Sequence, residues 1–238
     1  METIDSIYNE CLINTNLKLD FSVDQEPNIL KEIFVSRSYA DYFPFYQKSI
    51  IVDIGAHYGY FSLFATINSH KESSIFSLEP AKNNYNTLTK NILINGIKNI
   101  QILNVGIDAV AGQQSFYLSK SKNHSIFSKE RYELSSSERV EINVISLKDI
   151  FEKFKLKHVD FLKIDCEGAE YPALYNADKN IFDLIKTISM EFHDLKDIRY
   201  TGLSMISFLK KQGYDIVKFI HEPTRKNLNY GKIIATKF

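Results

Sequence analysis

Tryptophan is absent from the 238 residues, cysteine occurs twice, and neither sign of charge is in excess, with 29 basic and 29 acidic residues. Each shortage excludes something. Two cysteines, Cys11 and Cys166, cannot build a disulfide framework and suit a reducing compartment. A chain that lives on nucleic acid usually carries a basic excess or face, and the one local candidate, Lys120 to Arg131, reads as a solvated loop. No stretch approaches the roughly 18 apolar residues needed to span a bilayer. The opening METIDSIYNE lacks the basic and then apolar order of a signal peptide. The expectation is a cytoplasmic protein that acts on a small molecule, with no nucleic-acid partner and no membrane span.

What is present is an ordinary globular composition, 44% hydrophobic and 24% charged, with 17 Phe and 14 Tyr to fill a core. The length suits one large α/β domain. Residues 1–48 read as an N-terminal extension, a substrate-covering, lid or dimer element. It has a helix near Pro27 and an aromatic run, Tyr39 to Gln47, that suits either core packing or a wall over the substrate. From 49 to 238, apolar runs alternate with helical segments, the pattern of a doubly wound parallel sheet.

Strands are expected at 49–55, 74–80, 100–106, 159–165 and 186–192. Helices are expected at Tyr60 to Asn68, Asn83 to Asn95 with Gly96 as cap, and Ala169 to Tyr175. Asn180 to Leu184 reads as an apolar lead-in to the fifth strand. Before the fourth strand lies a β insertion, QSFYLS and RVEINVIS, joined by the polar stretch 120–138. A helix capped by Gly213 and a terminal hairpin complete the chain.

The strongest local signal is IIVDIGAHYGYFSLFA, a buried strand that turns on glycines into a helix. In such sheets that turn lies at the ligand crevice. A dinucleotide turn needs a second glycine where His57 stands, so a nicotinamide-linked oxidoreductase is disfavoured. The spacing suits a ligand without phosphates, such as a sulfonium donor. Asp53 is placed to face the donor's amino group, and Gly55 and Gly59 to give the backbone a close approach. Glu79, ending the next strand, suits a ribose. Gly106 and Ile107 suit an adenine slot, with Asp108 adding a hydrogen bond or forming a turn.

KIDCEGAE and MEFHD end the fourth and fifth strands, expected as neighbours. Asp165 and Glu167 share a direction if the extended backbone persists, and Glu191 shares a face with His193. Glu170 suits the first turn of a helix. Such a pocket can withdraw a hydroxyl proton, with His193 or Asp165 as general base. It can alternatively hold Mg or Mn through Asp165, Glu167, Glu191 and His193, chiefly Asp165, Glu191 and His193. Cys166, between acids, reads as inert.

Together VDIGAHYGYFS, LEPAKNNYNTLTKNILINGIKNI, ILNVGI, VISLKDIF, VDFLKIDCEGAE and ISMEFH resemble the FkbM family of class I methyltransferases, over about residues 50 to 195. The resemblance implies a Rossmann-like, mostly parallel seven-stranded sheet. It also implies an S-adenosylmethionine-dependent O-methyltransferase acting on a hydroxyl of a sugar or glycan-like molecule, often in polysaccharide biosynthesis. Carried over, Asp53, Gly55, Ala56 and Gly59 bind the donor, Glu79 its ribose, and Asp165, Glu167 and His193 serve the reaction centre. Cys166 stands where the family usually has Val, and His57 where it usually has Asn. A nucleic-acid methyltransferase of the same fold and a silent donor-binding protein are the alternatives. The chain has DCEG where amino-directed enzymes carry an Asn/Asp-Pro-Pro-aromatic motif.

Overall fold

The computed structural model describes residues 10–13, 15–20, 27–118, 138–195, 197–222 and 229–238. The polar stretch 120–138 therefore lies outside the described residues, except for Glu138, as do parts of the N-terminal extension.

The order is α1 (Pro27–Phe34), β1 (Ile50–Ile54), α2 (Tyr60–Asn68), β2 (Ser74–Leu78), α3 (Lys82–Ile94), β3 (Ile100–Leu103), β4 (Gly106–Ile107), β5 (Gly112–Leu118) and β6 (Glu138–Ile145). There follow α4 (Leu147–Phe154), β7 (Val159–Ile164), α5 (Glu170–Tyr175), α6 (Lys179–Phe182), β8 (Ile185–His193), α7 (Gly202–Lys211), β9 (Asp215–Glu222) and β10 (Tyr230–Thr236). Seven strands make one sheet in the order β3-β2-β1-β7-β8-β10-β9. The first five are parallel, and β10 runs antiparallel to both β8 and β9. The expected neighbours, the strands ending at KIDCEGAE and MEFHD, are adjacent. β5 and β6 pair antiparallel as the insertion required, and β4 joins them in a second sheet. The expected lead-in at 180–184 is instead mostly the short helix α6, because its apolar residues Ile181 and Phe182 turn in to pack on the core.

Both faces of the large sheet are covered, which is why its central strands are apolar almost throughout rather than alternating. Val52, Phe76 and Leu162 enter one core, with Ile150, Leu174 and Leu209. Their neighbours Ile51, Ile75 and Phe161 enter the other, with Leu63 and Leu88. This second core also takes the aromatic run: Phe43 meets Phe61, Phe64 and Phe161 at centroid distances of 6.2, 5.5 and 5.3 Å.

One polar row interrupts the packing. Ser77, Asp53, Lys163 and Ser189 stand side by side across four strands, in register. All four are buried, on the face shared with Ile51 and Phe161.

Candidate active site

The C-terminal ends of β1, β2, β7 and β8 open onto one cleft of about 610 Å³, within the range of small-molecule sites. At the end of β1 the chain turns sharply, with Gly55, His57 and Gly59 all in the left-handed region at φ of 77°, 52° and 82°. Packing within the chain itself requires these glycines. A Cβ on Gly55 would stand 1.7 Å from the Asp165 carbonyl oxygen, and one on Gly59 would stand 2.3 Å from Leu88 Cδ1. Gly55 is thus what lets the β1 turn and the end of β7 lie against each other.

Glu79 lines the cleft at one end. Its Oε2 accepts from the His57 amide at 2.8 Å, and its Oε1 from the Ala81 amide at 2.9 Å and from Asn84 at 3.4 Å. A carboxylate has about four acceptor positions, so room is left for a hydroxyl. Burial outweighs these donors and raises the carboxyl to about 7. Beside it, Pro80, Val105, Gly106, Ile107, Phe116 and Ile142 form an apolar slot. Asp108 does not line it; its oxygens accept from the Ala109 amide and from Gln114.

Asp53 does not line the cleft either. It is fully buried, accepts from Ser62 at 2.6 Å, and has the Lys163 ammonium 3.2 Å away. Lys163 in turn donates to the Gly55 carbonyl at 2.8 Å and lies 4.0 Å from Asp165. Burial alone would lower the lysine, but Asp53 and then Asp165 outweigh it and the ammonium is held above its ordinary range. Register places a lysine directly beside Asp53, so the carboxylate expected to face a donor amine is engaged in an internal ion pair.

At the other end stand Asp165, Glu167 and Glu191. The extended backbone does not persist past Ile164: Glu167 sits at φ 53°, and both Asp165 and Glu167 nonetheless reach the cleft. Tyr39 donates its hydroxyl to Asp165 Oδ2 at 3.0 Å. Burial, then Asp165, Glu191 and Glu32, push that phenol up, so it remains a donor.

His193 stands behind this wall, 2% exposed, and does not itself line the cleft. Its Nδ1 lies 3.2 Å from Glu170 Oε1, while Nε2 lies 3.2 Å from Glu191 and 3.4 Å from Glu167. Glu170 is fully buried and also accepts from the Gly168 and His193 amides at 2.7 and 2.8 Å. It therefore does more than answer a helix dipole: it fixes the imidazole. Burial, then Asp165, hold Glu191 up to about 9. A protonated Glu191 donating to Nε2, with Nδ1–H donating to Glu170, gives each ring nitrogen one partner. Cys166 is pushed well above the ordinary thiol range by burial and Glu170, and is inert at neutral pH.

Asp165, Glu167 and His193 offer ligand atoms all within 4.8 Å of one another. All three belong to the expected four, and Glu191, the fourth, has its Oε1 3.2 Å from the imidazole Nε2. Sequence reasoning missed Glu32, Glu222, Tyr230 and Lys232 as cleft residues. Nothing local marks them. Tyr39 belongs to an aromatic run in which Phe43 and Phe45 pack in the core while Tyr42 and Tyr46 are exposed.

Residues 53–216 match the family model described as the methyltransferase FkbM domain. "Methyltransferase 1" of Beauveria bassiana (strain ARSEF 2860) is 28% identical over 201 residues, 74% of this chain and 80% of its own. "Methyltransferase sdnD" of Sordaria araneosa is 25% identical over 218 residues, 80% of this chain and 82% of its own. Among solved structures, precorrin-6y C5,15-methyltransferase from Geobacter metallireducens GS-15 superposes with a TM-score of 0.51 at 13% identity, over 94% of this chain and 96% of that one. The METTL16 MTase domain gives 0.55 at 11%, over 99% and 81%. These likenesses show the class I, Rossmann-like fold. With more than half of its length matched by the family model, the chain belongs to the FkbM family and is a methyltransferase.

Proposed function

We propose that the chain is an S-adenosylmethionine-dependent O-methyltransferase acting on a hydroxyl of a sugar or glycan-like small molecule. The observation that carries this is one cleft joining Glu79 and an apolar slot at one end to Asp165, Glu167 and Glu191 at the other. The slot end suits an adenosine: Glu79 keeps acceptor capacity for ribose hydroxyls, and Val105, Ile107, Phe116 and Ile142 suit a flat base. The two lysines among the described lining residues, Lys163 and Lys232, are both ion-paired, which suits a donor without phosphates.

When bound, the donor supplies an electrophilic methyl group on a positively charged sulfur that leaves as a neutral thioether. The chain's own task is then chiefly alignment. Asp165 lines the cleft, is steadied by Tyr39, and receives the acceptor's hydroxyl proton as general base. His193, held by Glu170, acts through Glu167 and Glu191 rather than on the acceptor, since it stands behind them. The balanced net charge favours a small acceptor over a nucleic acid.

Calorimetry with S-adenosylmethionine and S-adenosylhomocysteine, followed by transfer of a labelled methyl group into glycan and metabolite extracts, tests the reading. A folded protein that takes up heat or label from neither experiment refutes it.

A second reading rests on the closeness of Asp165, Glu167 and His193: a divalent cation there, Mg or Mn, lowers the pKa of the acceptor hydroxyl. Transfer that survives exhaustive chelation unchanged excludes it.

A further inference from the structure

The family domain ends at residue 216, yet the cleft does not. Its acceptor end is completed by two segments outside that domain, the N-terminal residues around Glu32 and Tyr39 and the C-terminal hairpin with Glu222, Tyr230 and Lys232. The two segments are fastened together. Lys232 ion-pairs with Glu32, its ammonium lies 4.6 Å from the centre of the Tyr39 ring, and Lys218 pairs with Asp41.

Charge at this end is one-sided. Glu32, Asp165, Glu167 and Glu222 supply four carboxylates, against the ammonium groups of Lys163 and Lys232. Both lysines are already matched, Lys163 by Asp53 and Lys232 by Glu32. An anionic acceptor would therefore meet like charge with no cation among the described lining residues left to receive it, a juxtaposition that costs heavily when desolvated. An ammonium group finds the reverse. The chain demonstrates the fit with its own Lys232, whose ammonium rests beside a carboxylate and an aromatic face.

We propose that this end selects a hydroxyl acceptor that carries an ammonium group, an amino sugar or amino alcohol, and excludes acceptors bearing phosphate or carboxylate. Glu32, Tyr39, Glu222 and Lys232 are the specificity-determining residues. The proposal rests on the methyl-transfer reading of the same cleft.

The experiment measures binding to the full chain saturated with S-adenosylhomocysteine. The probes are a panel of amino sugars with their N-acetylated and carboxylated counterparts. The tightest amino sugar should bind about tenfold or more tighter than its N-acetylated counterpart, the size of one well-placed charge contact. The carboxylated set should bind weakest. Glu222→Lys, at an exposed strand end, should abolish most of that preference. Equal or tighter binding of the neutral or carboxylated set, or a preference that Glu222→Lys leaves intact, overturns the proposal while the S-adenosylhomocysteine heat still supports methyl transfer. Absence of that heat overturns both.

Discussion

Replacing Lys163 with methionine removes one ammonium and keeps the volume of the stem, so it isolates the charge. What remains is Asp53, fully buried, with Ser62 still donating to it but its cation 3.2 Å away gone. Removing one partner of a buried pair costs about 3–5 kcal/mol, because the other charge is left uncompensated. In a protein of this size that is roughly 6–20 °C of Tm, at 2–4 °C per kcal/mol. The Gly55 carbonyl also loses its donor, about 1 kcal/mol more. The double variant Asp53→Asn/Lys163→Met removes both charges, and should recover all but about 1–2 kcal/mol of the loss. The assay is urea or guanidinium unfolding of the four proteins of the cycle. The folded Lys163 ammonium is held above its unfolded range, so its stabilisation is full at neutral pH and is lost only as pH rises through that raised value. The cycle therefore belongs at pH 7 and should shrink in strong alkali. A Lys163→Met loss below ~1 kcal/mol, or a double variant worse than either single one, would falsify the claim that this pair is coupled and buried.

Three further outcomes follow from the geometry. Gly96→Ala places a Cβ in open space at φ 61° and should cost only about 1–2 kcal/mol of left-handed strain. Gly55→Ala adds overlap with the Asp165 carbonyl, should cost at least about 3 kcal/mol, and should weaken S-adenosylhomocysteine binding; equal losses for the two variants would contradict this. Glu79 is raised from its unfolded range to about 7, so its favourable share of stability is present below the unfolded pKa and is lost as pH rises through about 7. The unfolding free energy of wild type relative to Glu79→Gln should therefore fall by ~3 kcal/mol between pH 5 and pH 8, and a flat difference refutes the assignment. Finally, Ser146→Ala opens the capping box with Asp149 at the start of α4 and should cost ~1 kcal/mol in thermal unfolding with no change in methyl transfer.

The sheet was legible because its signals are local. Buried runs ending in glycine, acid or histidine mark β1, β2, β7 and β8 within a residue or two, and α2 matches its expected bounds. Alternation also put Glu191 and His193 on one side. What alternation cannot supply is the partner. Asp53 and Lys163 occupy matching positions on β1 and β7, and that register becomes visible only once the strands are paired. The depth of His193 depends on Glu170, 23 residues away, taking the imidazole inward. The bond from Tyr39 to Asp165 spans 126 residues and rests on how the aromatic run folds back over α2, with Phe43 buried and Tyr46 exposed. Nothing in the run itself distinguishes the tyrosine that reaches the cleft from those that do not.

The tie between Glu32 and Lys232 joins positions 200 apart, so it has a meaning for synthesis as well as for recognition. Contacts so distant along the chain form late, since the intervening polymer must first be ordered. During translation the glycine turn and Glu79 can meet well before β10 exists, whereas the end of the cleft lined by Lys232 waits for the final hairpin. A nascent chain would thus assemble the Glu79 end of its cleft first and the Lys232 end last.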